Sequence, residues 1–102
     1  MTDLRNVQSA AYANKIAKGF NTTDVPMEFG LTMEELGEAF SAWRKDEFNY
    51  GGELADVAIF LLGLAEMTDI DLGTEVAVKL DQNEQRAYVR LPNGTPVKAE
   101  GG

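Results

Sequence analysis

EELGEAFSAWRKDEFNYGGELAD, residues 34–56, is the stretch on which the fold turns. Leu36, Phe40 and Trp43, preceded by Met33, recur at three- and four-residue spacing, the apolar stripe of an amphipathic helix. DEFNYGG then supplies turn formers and two glycines, and GELAD opens another helical pattern. A short turn between two helices makes them antiparallel neighbours. Each helix also carries an acidic pair of equal internal spacing, Glu35-x-x-Glu38 and Glu53-x-x-Asp56. Residues three apart lie on one helix face, so each pair can point at one object, and the antiparallel turn can bring both pairs to one level.

Working outward, Thr32 and Glu35 form a capping box with Leu31 as a staple residue, which starts the second helix at Thr32 and runs it to about Lys45. The third helix is expected over Gly52–Met67. Leu54, Val57, Ala58, Leu61 and Ala65 form its stripe, and Ile59, Phe60, Leu62 and Leu64 fill most of its remaining circumference, as in the central helix of a domain. TDID breaks it and offers Asp69 or Asp71 as the next N-cap. The fourth helix is expected over Leu72–Tyr88, with Leu72, Val76 and Leu80 on its apolar side and Pro92 requiring it to stop by about Arg90. Before the second helix, Asp3–Lys18 reads as a first helix closed by Gly19, and FNTTDVPMEFG as a loop. The fold class is therefore all-α: a four-helix protomer, residues 1–90, in one antiparallel bundle completed by dimerisation or as a tetramer. The tail, residues 91–102, forms either a small hairpin around Asn93–Gly94 or a frayed end.

The bulk composition narrows function by exclusion. A chain of 102 residues is one domain's worth. With 9 basic and 17 acidic residues its net charge is −8, which argues against a nucleic-acid polymer or an anionic membrane as partner. It has no cysteine and no histidine, so disulfides, Cys–His and Ser–His–Asp nucleophiles, N/S zinc sites and Glu-x-x-His di-iron sites are all excluded. Metal chemistry must then use oxygen ligands, which suit Mg²⁺, Ca²⁺ or Mn²⁺. The N-terminus lacks an apolar signal region, and VAIFLLGLA is far short of the roughly 20 residues of a membrane span. The expectation is a soluble cytoplasmic protein.

Taken singly, each acid has a plain structural reading: Glu53 and Asp56 near a first helical turn favour the helix dipole, and Glu34, Glu35 and Glu38 can be a solvated face. Two pairs on consecutive helices beside an apolar face, which Phe60 continues, point instead to a site at the edge of the core. Clustered carboxylates repel and shift their pKa values upward, and a divalent cation removes that penalty. On the last helical segment Lys79, Asn83 and Arg86 fall at i, i+4 and i+7. They read either as a solvated face with local pairs or as a charge, an amide and a planar fork for a polyphosphate.

The ordered set E-x-x-E, E-x-x-D, K-x-x-x-N-x-x-R, in LTMEELGEAF, GELADVAIFLLGLA and the segment from IDL to Arg86, resembles the MazG family of all-α nucleoside triphosphate pyrophosphatases. The resemblance covers Leu31–Arg86. It implies a protomer that dimerises or tetramerises and hydrolyses a (d)NTP to (d)NMP and pyrophosphate with Mg²⁺, Mn²⁺ being a possible substitute, in nucleotide-pool house-cleaning. It further implies Glu35, Glu38, Glu53 and Asp56 as metal ligands, Glu34 and Glu38 in catalysis, with Glu34 helping to bind metal or to orient water, and Lys79, Asn83 and Arg86 facing phosphates or bracing the site. Phe20, Phe29, Trp43, Phe48 and Tyr50 are the aromatic candidates for stacking on a nucleobase, with Trp43 serving core or dimer packing as the alternative. Two other readings share the fold: a non-enzymatic dimerisation module whose acidic face binds a cation or a basic partner, and a phosphohydrolase of another nucleotide-like polyphosphate.

Overall fold

The computed structural model describes residues 3–99 and contains four helices followed by a two-stranded hairpin. Helix α1 spans Leu4–Lys18; the Asp3 carboxylate caps it by accepting from Arg5 N at 2.9 Å. Gly19 ends it in the left-handed region (φ 70°), where its N–H and that of Phe20 satisfy the last carbonyls. Both boundaries match the sequence expectation.

Helix α2 spans Val25–Arg44 and starts well before the expected Thr32. Its N-cap is Asp24, which accepts from Met27 N at 3.0 Å, and Pro26 sits in the first turn, where its missing N–H costs nothing. Asn21 shapes the entry: its Oδ1 accepts from Asp24 N at 3.0 Å and its Nδ2 donates to the Asp24 carbonyl at 2.8 Å. Thr32 lies inside the helix and donates its hydroxyl to the Glu28 carbonyl at 2.8 Å, so the capping box does not form. Much of the expected loop FNTTDVPMEFG is thus helical.

Helix α3, Tyr50–Met67, packs on both α1 and α2 and is central, as its all-round hydrophobicity implies. The buried residues on α2 and α3 are Ala39, Ala42, Leu62, Gly63, Leu64, Ala65 and the carboxylate Glu28. The expected α2 stripe points the other way. Met33, Leu36, Phe40 and Trp43 are more than half exposed, and Leu54 and Leu61 on α3 are a little under half exposed. The small residues Ala39 and Ala42 let the two helices approach, and the large apolar side chains lie outside that contact. Gln8, fully buried, ties α1 to the end of α3: its Nε2 donates to Glu66 at 2.9 Å and to the Ile70 carbonyl at 2.6 Å, and its Oε1 accepts from Leu72 N at 3.1 Å.

The chain divides into two compact units at Leu72 and Gly73. The second holds helix α4, Leu72–Gln85, and strands β1, Tyr88–Arg90, and β2, Pro96–Lys98, paired antiparallel with Val89 opposite Val97. Helix α4 stops short of Tyr88 because that residue enters the ladder opposite Lys98. The hairpin closes through Gly94 (φ 88°), whose N–H donates to the Leu91 carbonyl at 2.8 Å, so of the two tail readings the hairpin forms. Residues 1, 2 and 100–102, the last of them in the expected tail, lie outside the described residues.

Candidate active site

The short connection between α2 and α3 sets their register. It places Glu35 and Glu38 of α2 opposite Glu53 of α3, with carboxylate oxygens of all three within 4.8 Å of one another. Glu35 and Glu53 are half-buried and Glu38 is exposed. Asp56, one helical turn past Glu53, is outside this closest group, but its charge reaches Glu35. The Glu35 carboxyl is held above the usual glutamate range, first by partial burial, then by the charges of Glu38 and Asp56, a hydrogen bond with Glu38, and the charge of Glu53. Of the four acids expected from their spacing, Glu35, Glu38 and Glu53 converge, and Asp56 lies outside that group.

These groups fit a hard divalent cation. Every donor is a carboxylate oxygen, three of them converge from two helices, and Glu35 is pushed toward holding a proton by partial burial and then by its acidic neighbours. Glu34 neighbours Glu35 in sequence but is exposed and outside the cluster. Lys79 and Asn83 are exposed on α4, while Arg86 falls just past its end, half-buried, and donates to Asn83 Oδ1 at 3.0 Å. All three belong to the second unit.

Of the aromatic candidates, Phe48 is fully exposed in the α2–α3 turn. Trp43 stacks on Phe40 with centroids 6.2 Å apart, and both line an apolar depression with Leu36, Ala39, Tyr50 and Leu54. A second cavity lies at the other end of the α2–α3 pair, lined by Lys15, Phe20, Asn21, Met27, Glu28, Leu31 and Phe60. It holds a buried ion pair that the sequence reading did not pick out: Lys15 Nζ donates to Glu28 Oε2 at 2.6 Å, and Asn21 Nδ2 donates to Glu28 Oε1 at 3.2 Å. The available signal was the seven-residue interval from Glu28 to Glu35, two full turns, which puts Glu28 on the face of the catalytic candidates.

A solved cyanophage S-2L MazG-like pyrophosphohydrolase, bound to dGDP and three catalytic Mn²⁺ ions per active site, superposes with a TM-score of 0.76 over 99 % of this chain and 97 % of that one, at 24 % identity. The chain shares the fold of that enzyme. A curated dATP/dGTP diphosphohydrolase of Salmonella phage PMBT28 is 43 % identical over 67 residues, 59 % of this chain. The match spans 23 % of that relative's length. No family model matches the chain. The family read from the ordered acidic and basic motifs is thus supported by a sequence relative and by the fold of a solved structure.

Proposed function

We propose that this MazG-like chain is a metal-dependent nucleoside triphosphate pyrophosphohydrolase, converting a (d)NTP and water to (d)NMP and pyrophosphate. The observation that carries the reading is the convergence of Glu35, Glu38 and Glu53 within 4.8 Å, with Asp56 beside them, on the facing sides of α2 and α3. The relative named for dATP and dGTP hydrolysis and the dGDP- and Mn²⁺-bound neighbour support a deoxynucleotide substrate. Helix lengths support a protein that acts in water, since among the described residues no helix is long and apolar enough to cross a membrane. Nucleotide-pool house-cleaning in the cytoplasm is the role that suits such an activity.

Glu35, Glu38, Glu53 and Asp56 would hold the cation, Mg²⁺ or Mn²⁺. When bound, the cation offsets charge on the phosphoryl oxygens. The chain's own part is to align and deprotonate water. With no histidine in the sequence, a carboxylate must accept the proton. Glu34 and Glu38, both exposed carboxylates, are the candidates for that role. The water oxygen bonds to the α-phosphorus, the bond from that phosphorus to the α–β bridging oxygen breaks, and pyrophosphate leaves with the electron pair. Lys79, Asn83 and Arg86 are proposed as phosphate contacts on the chemistry of their side chains.

The uncovered apolar face of Leu36, Phe40, Trp43, Tyr50 and Leu54 supports assembly with a second copy, as a dimer or within a tetramer. Sedimentation showing only monomer at micromolar protein would overturn that part.

The deciding experiment is pyrophosphate release across the eight common NTPs and dNTPs, with Mg²⁺ or Mn²⁺ and with EDTA. Activity on any of them, lost with EDTA, defeats the non-enzymatic reading, and orthophosphate as the product would point to the other phosphohydrolase reading. Glu38→Gln and Asp56→Asn should each abolish release while helix content by circular dichroism stays unchanged. Wild-type turnover in either variant removes that residue from the metal site.

A further inference from the structure

Asn93 and Gly94 lie in the loop that joins β1 to β2. The Gly94 N–H donates to the Leu91 carbonyl at 2.8 Å, and the Leu91 N–H donates to the Thr95 carbonyl at 2.8 Å. Pro92 and Asn93 thus fill the middle of a turn, and Gly94 (φ 88°) supplies the left-handed residue that leads into β2. The Asn93 carboxamide is held as well: its Oδ1 accepts from Thr95 N at 3.0 Å. Asn93 and Gly94 are both exposed to water.

An asparagine followed by glycine has a nucleophile beside its own side chain. The backbone nitrogen of the glycine can bond to the asparagine Cγ and close a succinimide ring. The Cγ–Nδ2 bond breaks, the nitrogen gives up its proton, and ammonia leaves. Water then adds to one of the two ring carbonyls and reopens it. One opening gives aspartate; the other gives isoaspartate, in which the main chain runs through the former side chain. A side chain on the attacking residue crowds this approach, and glycine has none. The other asparagines, Asn6, Asn14, Asn21, Asn49 and Asn83, are followed by Val7, Lys15, Thr22, Tyr50 and Glu84, so only Asn93 is open to attack in this way. The folded turn opposes each part of the step. The Gly94 N–H is held by the Leu91 carbonyl, and the Thr95 N–H keeps the carboxamide from swinging onto the Gly94 nitrogen. Yet a lone two-stranded hairpin is only marginally stable, and the Val89–Val97 pair is partly exposed. The reaction therefore runs through the fraction of chains in which the hairpin is open.

We infer that Asn93 is a site of spontaneous deamidation with water as co-reactant, that the closed hairpin holds the reaction in check, and that its two products act on the hairpin in opposite senses. Residues 86–99 hold Arg86, Arg90 and Lys98 and no acid, so either product places a carboxylate in a cationic segment. In the aspartate form that carboxylate keeps the bond from Thr95 N, now charge-assisted. It also stands near Arg90, whose Nη1 donates to the Gly94 carbonyl at 2.8 Å. The aspartate form therefore keeps the hairpin. The isoaspartate form adds a carbon to the main chain between Leu91 and Thr95. Loop length fixes hairpin register, so Leu91 and Thr95 no longer meet and the strands come apart.

The test follows the full chain at mildly alkaline pH by peptide mass spectrometry. Native protein should gain the mass of an amide-to-acid exchange at Asn93 before any other asparagine. Two hydrogen bonds of ordinary net strength must open first, so the native rate should be about tenfold below that of the same chain unfolded in urea. The double variant Val89→Gly/Val97→Gly loosens the strand pairing and leaves the loop sequence intact; it should react at close to the unfolded rate. Equal rates in native and unfolded chains, or a variant that reacts at the native rate, would overturn the control by the hairpin. An earlier gain at any other asparagine would overturn the site. In a second arm the aspartate and isoaspartate forms are separated by chromatography, and the cross-strand contacts of Val89 with Val97 are followed by NMR. Those contacts should persist in the aspartate form and in the Asn93→Asp variant, and be lost in the isoaspartate form. Contacts kept in both forms, or lost in both, would overturn the opposite action of the two products.

Discussion

Two carboxylate sites share one face of the α2–α3 pair and are built in opposite ways. At Glu35, Glu38 and Glu53 the acids converge, and the Glu35 carboxyl is held above its ordinary range by partial burial and by acidic neighbours, with no basic group among the causes. Two turns along, Glu28 is more deeply buried, yet it is answered inside the protein by Lys15 and Asn21. Burial alone therefore does not mark a functional acid. What separates the two sites is whether the fold itself supplies the compensating charge: where it does, the group is part of the scaffold, and where it does not, something from solution must.

The largest effect that would break this contrast concerns stability. Glu28→Ala leaves the Lys15 ammonium buried without its partner and should cost about 3–5 kcal/mol, measured by urea unfolding. Glu38→Gln, measured in EDTA, should cost nothing or slightly stabilise, because it removes a repelling charge. Similar losses for the two variants would mean the sites do not differ as described. The next effect is the response to metal. A ligand that binds only the folded state at a hundred times its Kd adds about 2.7 kcal/mol, so Mg²⁺ or Mn²⁺ should raise the wild-type melting temperature. Glu53→Gln should blunt that rise, while Lys15→Met/Glu28→Gln should keep it. A rise that survives Glu53→Gln would place the cation elsewhere.

The two sites were unequally legible in the sequence, for a physical reason. The open acids were visible because two pairs with one spacing on consecutive helices form a local pattern, and a short turn limits how the helices can meet. Lys15–Glu28 joins residues on different helices, and nothing in either one's neighbours announces the other. The start of α2 was misread for a related reason: Thr32 and Glu35 have capping-box spacing, but Asp24 and Pro26 provide an earlier start, and once the helix is running Thr32 has no free N–H to cap. Periodicity correctly grouped Met33, Leu36, Phe40 and Trp43 on one face of α2. It could not say what covers that face, and in the single chain Ala39 and Ala42 are the residues buried. The end of α4 was set by the pairing of Tyr88 with Lys98, a contact across the hairpin that helical periodicity does not contain.

The misread helix start gives a smaller test, on the element that carries Glu28. Asp24→Ala should destabilise by about 1 kcal/mol, the usual value of an N-cap, and also loosen Asn21 against Glu28. Thr32→Ala should stay within about 0.5 kcal/mol, since its hydroxyl bonds a carbonyl already inside the helix. Reversed magnitudes in thermal unfolding would restore the capping box and move the helix start to Thr32.

The smallest effect sharpens the contrast between answered and unanswered acids through pH. Glu66 is an answered acid at the surface: its carboxyl is held below the usual range, first by the hydrogen bond from Gln8 and then by the one from Arg5. Between its lowered folded value and the ordinary glutamate value the unfolded chain binds more protons, so its stabilisation is present above the ordinary value and lost as pH falls through the folded one. Glu35 has the opposite sign. Its folded form holds the proton longer, so stability is lost as pH rises from the ordinary value through the raised one. Glu66→Gln should flatten the acid side of the stability profile, and Glu35→Gln the limb just above it. Saturating Mg²⁺ or Mn²⁺ should leave the Glu66 limb alone and abolish or invert that of Glu35, because a bound cation favours the ionised carboxylate. Unfolding curves at a series of pH values, with metal and with EDTA, separate the two. If metal moved both limbs or neither, the distinction between an acid paired by the fold and one left for a cation would fail.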